Sequence, residues 1–281
     1  VVFVVVIATL SSFLTSVKRR PAAIVYDKKF GAITAPQFGN KLDYPDGARF
    51  VLDNIEGRPV TATEAAEIFF LPKPRTKFGY LENMYLMAKS AGFETTVATP
   101  KIEETTGVFQ DTDKTLTIDI QTQNFTFTRK FQESPVLFET SKLPSESVII
   151  DAAKEFLQKM GRYPQDLAKG REHIVYMKYS VENDSFTVVD SPRKANVVEV
   201  DFFRPDLDDV KMVSPKYFTS QNYVAFTFPG EQPEVIKAAV QFFDRDLSNT
   251  GVYPVKTGDQ AWKELQEKKG IIVANQNPTS T

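Results

Sequence analysis

Hydrophobic and polar positions along this chain fall into three regimes. Val1 to Val17 is a run without charge, with Val, Ile, Phe and Leu at most positions, and Lys18, Arg19 and Arg20 follow at once. As a helix this run is roughly 26 Å long, close to the ~30 Å hydrocarbon core of a bilayer. Its polar members are Thr9, Ser11, Ser12, Thr15 and Ser16, whose hydroxyls can bond back to helix carbonyls. The pattern predicts a membrane span with a basic stop. A buried core helix normally shows a polar face, and a cleaved signal peptide needs a small-residue cleavage site; both fit less well. Residues 18–48 then carry Pro21, Gly31, Pro36, Gly39, Pro45 and Gly47 without a helical period, which reads as a tether. In it, Ile24-Val25-Tyr26 is a short strand candidate.

From Arg49 onward, periods of 3.6 and 2 alternate. Phe50-Val51-Leu52 and Ala65 to Leu71 are strand candidates, the second competing with a capping box of Thr61 and Glu64. Leu81, Met84, Tyr85, Ala88 and Ala91 recur at helical spacing over Phe78 to Ala91, and Gly92 supplies a left-handed stop. Strands are expected at Glu94–Ala98, Lys114–Gln121 and Asn124–Lys130, the last two joined by a tight turn. A second cycle opens at Pro144 and Ser145, a plausible N-cap, runs through Val148, Ile149, Ala152, Phe156, Leu157 and Met160, and stops at Gly161. Strands follow at Glu172–Val181, Ser185–Asp190, Asn196–Arg204, Tyr223–Phe228 and Val235–Arg245, with Asn183-Asp184 as a turn. A third, shorter cycle has Thr257 or Asp259 as N-cap, a helix through Ala261, Trp262 and Leu265, then Gly270 and a strand Ile271-Ile272-Val273.

Local helices beside hairpin-connected strands predict an α+β fold in which helices pack on antiparallel sheet. The expected organisation is a signal-anchor helix at 1–17, a tether at 18–48, α+β modules at 49–140 and 141–250, and the start of a truncated third module at 251–281. The chain starts with Val rather than Met, so the apolar run is expected to be longer than its visible part. The basic residues after the span would hold the body in the cytoplasm by the usual charge rule. An anchor followed by one long domain favours export, and an extracytoplasmic body is the reading adopted.

Composition removes several classes of function. The 281 residues contain no Cys and a single His, with a net charge of −2. Disulfides, thiol nucleophiles, Cys-ligated metals and two-His zinc sites are excluded within one chain. No broad basic field exists to hold nucleic acid. Neither Gly-rich phosphate loop motif nor a Gly-x-Ser-x-Gly elbow occurs. His173, beside Glu172 at the start of a strand, reads as a strand-end residue rather than a general base. Asp201, Asp206, Asp208 and Asp209 form the densest acidic group, but their spacing misses the EF-hand pattern and reads as a solvated turn rather than a calcium site. Asp111-x-Asp113 is a weaker case. Asn124-Phe125-Thr126 and Asn183-Asp184-Ser185 match the glycosylation triplet, a match common by chance.

Phe202-Phe203, Phe242-Phe243 and Phe69-Phe70 place adjacent rings on opposite faces of strands. Either the sheet is covered on both faces, or one ring of each pair marks a contact surface.

The segment Tyr253-Pro254-Val255-Lys256-Thr257-Gly258-Asp259-Gln260-Ala261-Trp262-Lys263-Glu264-Leu265, followed by Lys269-Gly270, resembles a motif of YycH/YycI-type extracytoplasmic regulators of a cell-wall sensor kinase, with PepSY-like modules. The likeness covers about twenty residues closely and the second helix-and-strands cycle loosely. It implies a tyrosine–proline turn leading to a helix with a buried aromatic and then a strand pair, with two more strands after Thr281 than are present. It implies a membrane-tethered, non-catalytic regulatory or binding ectodomain and carries no catalytic residues. The expected function is therefore binding or regulation through contacts with an envelope or membrane protein. No catalytic, cofactor-binding or metal residues are assigned, no cofactor is expected and nucleic acid is not a partner. An envelope-polymer hydrolase using paired carboxylates and a structural or adhesion module are the alternatives.

Overall fold

The computed structural model describes residues 23–34, 42–44, 46–52, 54–61, 63–132, 134–139, 143–207, 212, 219–230 and 232–272. The expected span at 1–17, the start of the tether, Asp208, Asp209 and Val273 lie outside these. Among the described residues no helix is long and apolar enough to cross a membrane.

In chain order the strands are β1 (Ala65–Phe70), β2 (Lys101–Glu103), β3 (Thr106–Gln110), β4 (Lys114–Asp119), β5 (Phe125–Arg129), β6 (Arg171–Ser180), β7 (Ser185–Val188), β8 (Val197–Phe203), β9 (Tyr223–Thr227), β10 (Glu234–Val240) and β11 (Asp246–Pro254). The helices are α1 (Tyr80–Ser90), α2 (Glu146–Lys159), α3 (Gln165–Ala168) and α4 (Gly258–Gln266). They form two compact units. The larger is built on 71–244, the smaller on 23–34, 44–70 and 245–271.

The larger unit carries a nine-stranded sheet in the order β2-β3-β4-β5-β10-β9-β8-β6-β7, with every pairing antiparallel. β5 pairs with β10, so strands from the expected modules 49–140 and 141–250 share one sheet. Helices packed on antiparallel sheet are the α+β arrangement that the sequence predicts. α1 offers Met84, Met87 and Ala88, and α2 offers Ile149, Ala153 and Leu157, to a core shared with Phe109, Leu116, Ile118, Phe125, Val198, Val200, Phe202, Val224 and Phe226. Gly107 of β3 is required here, because a Cβ at that position would run into Met84 Cε. Both helices end as predicted. Gly92 (φ +81°) and Gly161 (φ +64°) adopt the left-handed conformation. Phe93 N donates to Ala88 O and Arg162 N to Leu157 O, closing the terminal turns.

The opposite face has its own aromatic cluster. Val197 and Ala225 point away from the helices and pack with Phe131, Leu137, Phe138, Tyr179 and Ile236. Tyr179 lies 4.4 Å from Phe138, 4.9 Å from Phe186 and 5.0 Å from Phe131 between ring centroids. Lys237 Nζ sits 4.7 Å from the Phe186 ring centroid.

Several expected strands are absent for local reasons. Glu94–Ala98 is a turn: Glu94 Oε1 accepts from Thr96 N and its hydroxyl, and Glu94 O accepts from Val97 N and Ala98 N. Phe50-Val51-Leu52 and Ile24-Val25-Tyr26 lie in no strand, and Ile272 makes only one bridge, with Leu42. The strand expected to run to Arg245 ends at Val240, because Gln241 N donates to Asn222 Oδ1 and Phe242 N to Asn124 Oδ1. β2, β3 and β11 were not expected as strands.

The smaller unit has a two-stranded antiparallel sheet of β1 and β11, bulged between Phe69 and Phe70. Residues near Asp27 bind the other side of β11, with Asp27 N donating to Val252 O and Val252 N to Asp27 Oδ2, each at 2.8 Å. Phe30 stacks on Phe70 and Tyr253. Thr257 is the N-cap of α4 in a full capping box with Gln260. The helix of the resemblance is thus present, but no residue of α4 is buried, and Trp262 is half-buried rather than a core aromatic.

Candidate functional site

Alternation along β6, β8 and β9 decides which side chains leave the helix side of the sheet. Ile174 and Tyr176, Val198, Val200 and Phe202, and Val224 and Phe226 pack into the main core. The intervening positions therefore face the other way. Register then aligns three of them: His173 opposes Asp201, and Asp201 opposes Tyr223. Glu199 lies on the same face, two residues from Asp201 along β8.

Asp201 is fully buried. Its Oδ1 accepts from Ser220 N at 3.0 Å. Its Oδ2 has no hydrogen-bond partner among the described residues. His173 Nδ1 stands 3.8 Å from that oxygen, an ion-pair distance longer than a hydrogen bond. The Ser220 turn is tied down by Ser220 Oγ donating to Phe202 O at 2.6 Å and Asn222 N donating to Ser220 Oγ at 3.0 Å. Burial pushes the Asp201 carboxyl up to about 6, against the opposing pull of the Ser220 N–H and His173. Burial raises the Tyr223 phenol as well, and the charges of Glu199 and Asp201 add to that rise. The result is a carboxyl that changes protonation near neutral pH beside an imidazole and a phenol. Such a group can hold or pass a proton and can accept a hydrogen bond at Oδ2.

The structure therefore brings together His173 and Asp201, which the sequence treats as unrelated. Of the rest of the acidic group, Asp206 is exposed and outside β8, and Asp208 and Asp209 lie outside the described residues. Among the described residues no three His, Asp or Glu side chains could hold a metal. Asp111 and Asp113 are structural. Asp111 Oδ1 accepts from Asp113 N and Lys114 N to close the β3–β4 turn, and Asp113 Oδ2 lies 3.2 Å from Arg129 Nε. Glu172 faces the helix side and pairs with Lys154 at 2.7 Å. Asn124 is buried and its Oδ1 accepts from Arg162 Nη2 and Phe242 N, so it is a structural tie rather than a glycosylation acceptor.

The aromatic pairs divide. Phe202 and Phe203 are both buried, with the Arg171 guanidinium 4.8 Å from the Phe203 ring centroid. Phe243 and Phe70 are exposed, Phe70 against Phe30. Tyr223, Glu199 and Ser220 are the members of the site that sequence reasoning missed. Period-2 alternation puts Glu199 and Asp201 on one face, but only strand register adds the others.

No protein-family model matches this chain, and no curated protein matches it. An uncharacterized protein from Eubacterium rectale ATCC 33656, known from a crystal structure, is 10% identical, with 77% of this chain and 71% of that chain covered and a TM-score of 0.37.

Proposed function

We propose that this chain is a single-pass, membrane-anchored binding or regulatory protein. Its body is extracytoplasmic and acts through contacts with an envelope or membrane protein, as in the YycH/YycI-type regulators it resembles. The apolar run at 1–17 with its basic flank supports the anchor. The observation that carries the contact is the β7 edge of the nine-stranded sheet. β7 reads Ser185-Phe186-Thr187-Val188, with no charge and no Pro, and Val188 is exposed. An uncharged edge strand offers free backbone donors and acceptors to a strand of another chain. The other edge, β2, is Lys101-Ile102-Glu103, whose charges discourage such pairing. The test is a photo-crosslinking residue at Thr187 in intact cells, with added protease reporting which side of the membrane holds the body. One discrete envelope or membrane protein, lost in Val188→Lys, is the expected product. Labelling that is absent, or unchanged by Val188→Lys, overturns the reading.

One observation favours the second reading, an envelope-polymer hydrolase: Glu199 and Asp201 share a face of β8 with His173 and Tyr223. Peptidoglycan hydrolysis by the full chain, abolished by both Glu199→Gln and Asp201→Asn, would replace the first reading with this one.

A further inference from the structure

The smaller unit holds a cavity of about 470 Å³ between the stretch 48–52 and α4. Ligand clefts begin at roughly 300 Å³. Its lining includes Phe50, Leu52, Gly57, Trp262 and Gln266, and among the described residues the one charged side chain in it is Arg49. Arg49 makes no ion pair or hydrogen bond with any described residue, so its guanidinium fork is available to a carboxylate. Residues 48–52 lie in no helix, strand or turn, alternate half-buried and exposed, and make no backbone hydrogen bond with any described residue. They are fixed from behind instead: Phe50 packs edge-on against Tyr44, with ring centroids 5.7 Å apart, and Tyr44 Oη donates to Gly270 O at 2.8 Å. One cation, an aromatic wall and a row of unused backbone donors and acceptors therefore meet in one cavity.

We propose that this cavity binds the free C-terminus of an extended apolar peptide. The carboxylate sits on Arg49, the terminal apolar side chain lies against Trp262, and the peptide backbone pairs with residues 48–52 as an added strand. A fatty acid shares the carboxylate and the apolar body, but it would leave the free backbone groups of 48–52 unused. The inference goes beyond the function proposed above: it uses neither β7 nor the membrane.

Trp262 is the only tryptophan in the chain, so its emission reports the site directly. The purified full chain is titrated with acetyl-Val-Leu-Phe as the free acid, as the C-terminal amide, and with decanoate. The expected result is a saturable shift of tryptophan emission, with the acid bound about tenfold more tightly than the amide, the worth of one charge-assisted contact. Arg49→Gln removes the preference for the acid, and Arg49→Lys keeps part of it. No saturable response to the acid, an amide bound as tightly as the acid, an undiminished preference in Arg49→Gln, or decanoate bound more tightly than the peptide each overturns the proposal. The acid–amide comparison on the unaltered chain decides even if a variant fails to fold.

Discussion

Replacing Asp201 by Asn tests the electrostatics of the sheet's second face most directly. In the folded chain the Asp201 carboxyl titrates at about 6, against an ordinary value of 3.8, with burial as the leading cause. The folded state therefore binds this proton more tightly than the unfolded one. Below about pH 4 both states are protonated and the group contributes no net term. As pH rises toward 6 the unfolded chain ionises first, and stability falls. Above 6 the ionised, buried carboxylate stands as a penalty of about 3 kcal/mol, from about 2 pH units at 1.36 kcal/mol each. The groups facing it are His173 from β6, Tyr223 from β9, the Ser220 N–H, and Glu199 on its own strand. Only His173 among them can carry positive charge. Asn keeps an oxygen for Ser220 N and cannot ionise. Asp201→Asn is thus expected to stabilise the larger unit by about 2–3 kcal/mol at pH 8 and by little at pH 4. With a urea slope of about 2–3 kcal/mol/M, that is a midpoint shift of about 1 M. Far-UV circular dichroism is the probe, because Trp262 belongs to the smaller unit. A variant no more stable than the parent at pH 8, or with the same slope of stability between pH 4 and 7, refutes the reasoning.

Substitutions at three other positions probe the packing around the site and the cavity. Asn124→Ala removes the acceptor shared by Arg162 Nη2 and Phe242 N and is expected to cost about 2–4 kcal/mol in urea unfolding, as two buried donors lose their partner; Asn124→Asp, which keeps the acceptor beside Arg162, is expected to cost far less. Gly170→Ala brings a Cβ onto Phe203 O, with Phe203 C only 2.9 Å away, and backbone cannot yield as a side chain does; a loss of about 3 kcal/mol is expected. Thr257→Ala breaks the capping box of α4 and is expected to cost about 1 kcal/mol, visible as an earlier transition by Trp262 fluorescence and absent from the unfolding of the larger sheet.

What the sequence disclosed and what it hid follow from how far apart the deciding residues lie. α1, α2 and α4 were legible because a 3.6-residue period and a stop glycine sit within one stretch of chain. The β4–β5 hairpin was legible because Leu116 and Ile118 alternate beside Phe125 and Phe127. β11 was not, since Asp246-Leu247-Ser248-Asn249-Thr250 has no apolar alternation and owes its pairing to β1, far away in the chain. β3 was obscured by Gly107, which is there to admit Met84 rather than to form a strand. The cavity beside Trp262 joins residues 48–57 to 262–266, a meeting that no local pattern encodes.

The polar row depends on register alone. His173, Asp201 and Tyr223 become neighbours only because Val198, Val200 and Phe202 must lie under the helices. A slip of β8 by one residue would turn Asp201 into that core and Phe202 out of it. The apolar side of β8 therefore dictates where the carboxylate goes, and the Ser220 turn then supplies one hydrogen bond where a buried carboxylate needs more. A register chosen for hydrophobic burial leaves an under-satisfied acid on the opposite face. That is why this position carries a raised pKa, and why its replacement is expected to stabilise the fold while altering whatever the face contacts.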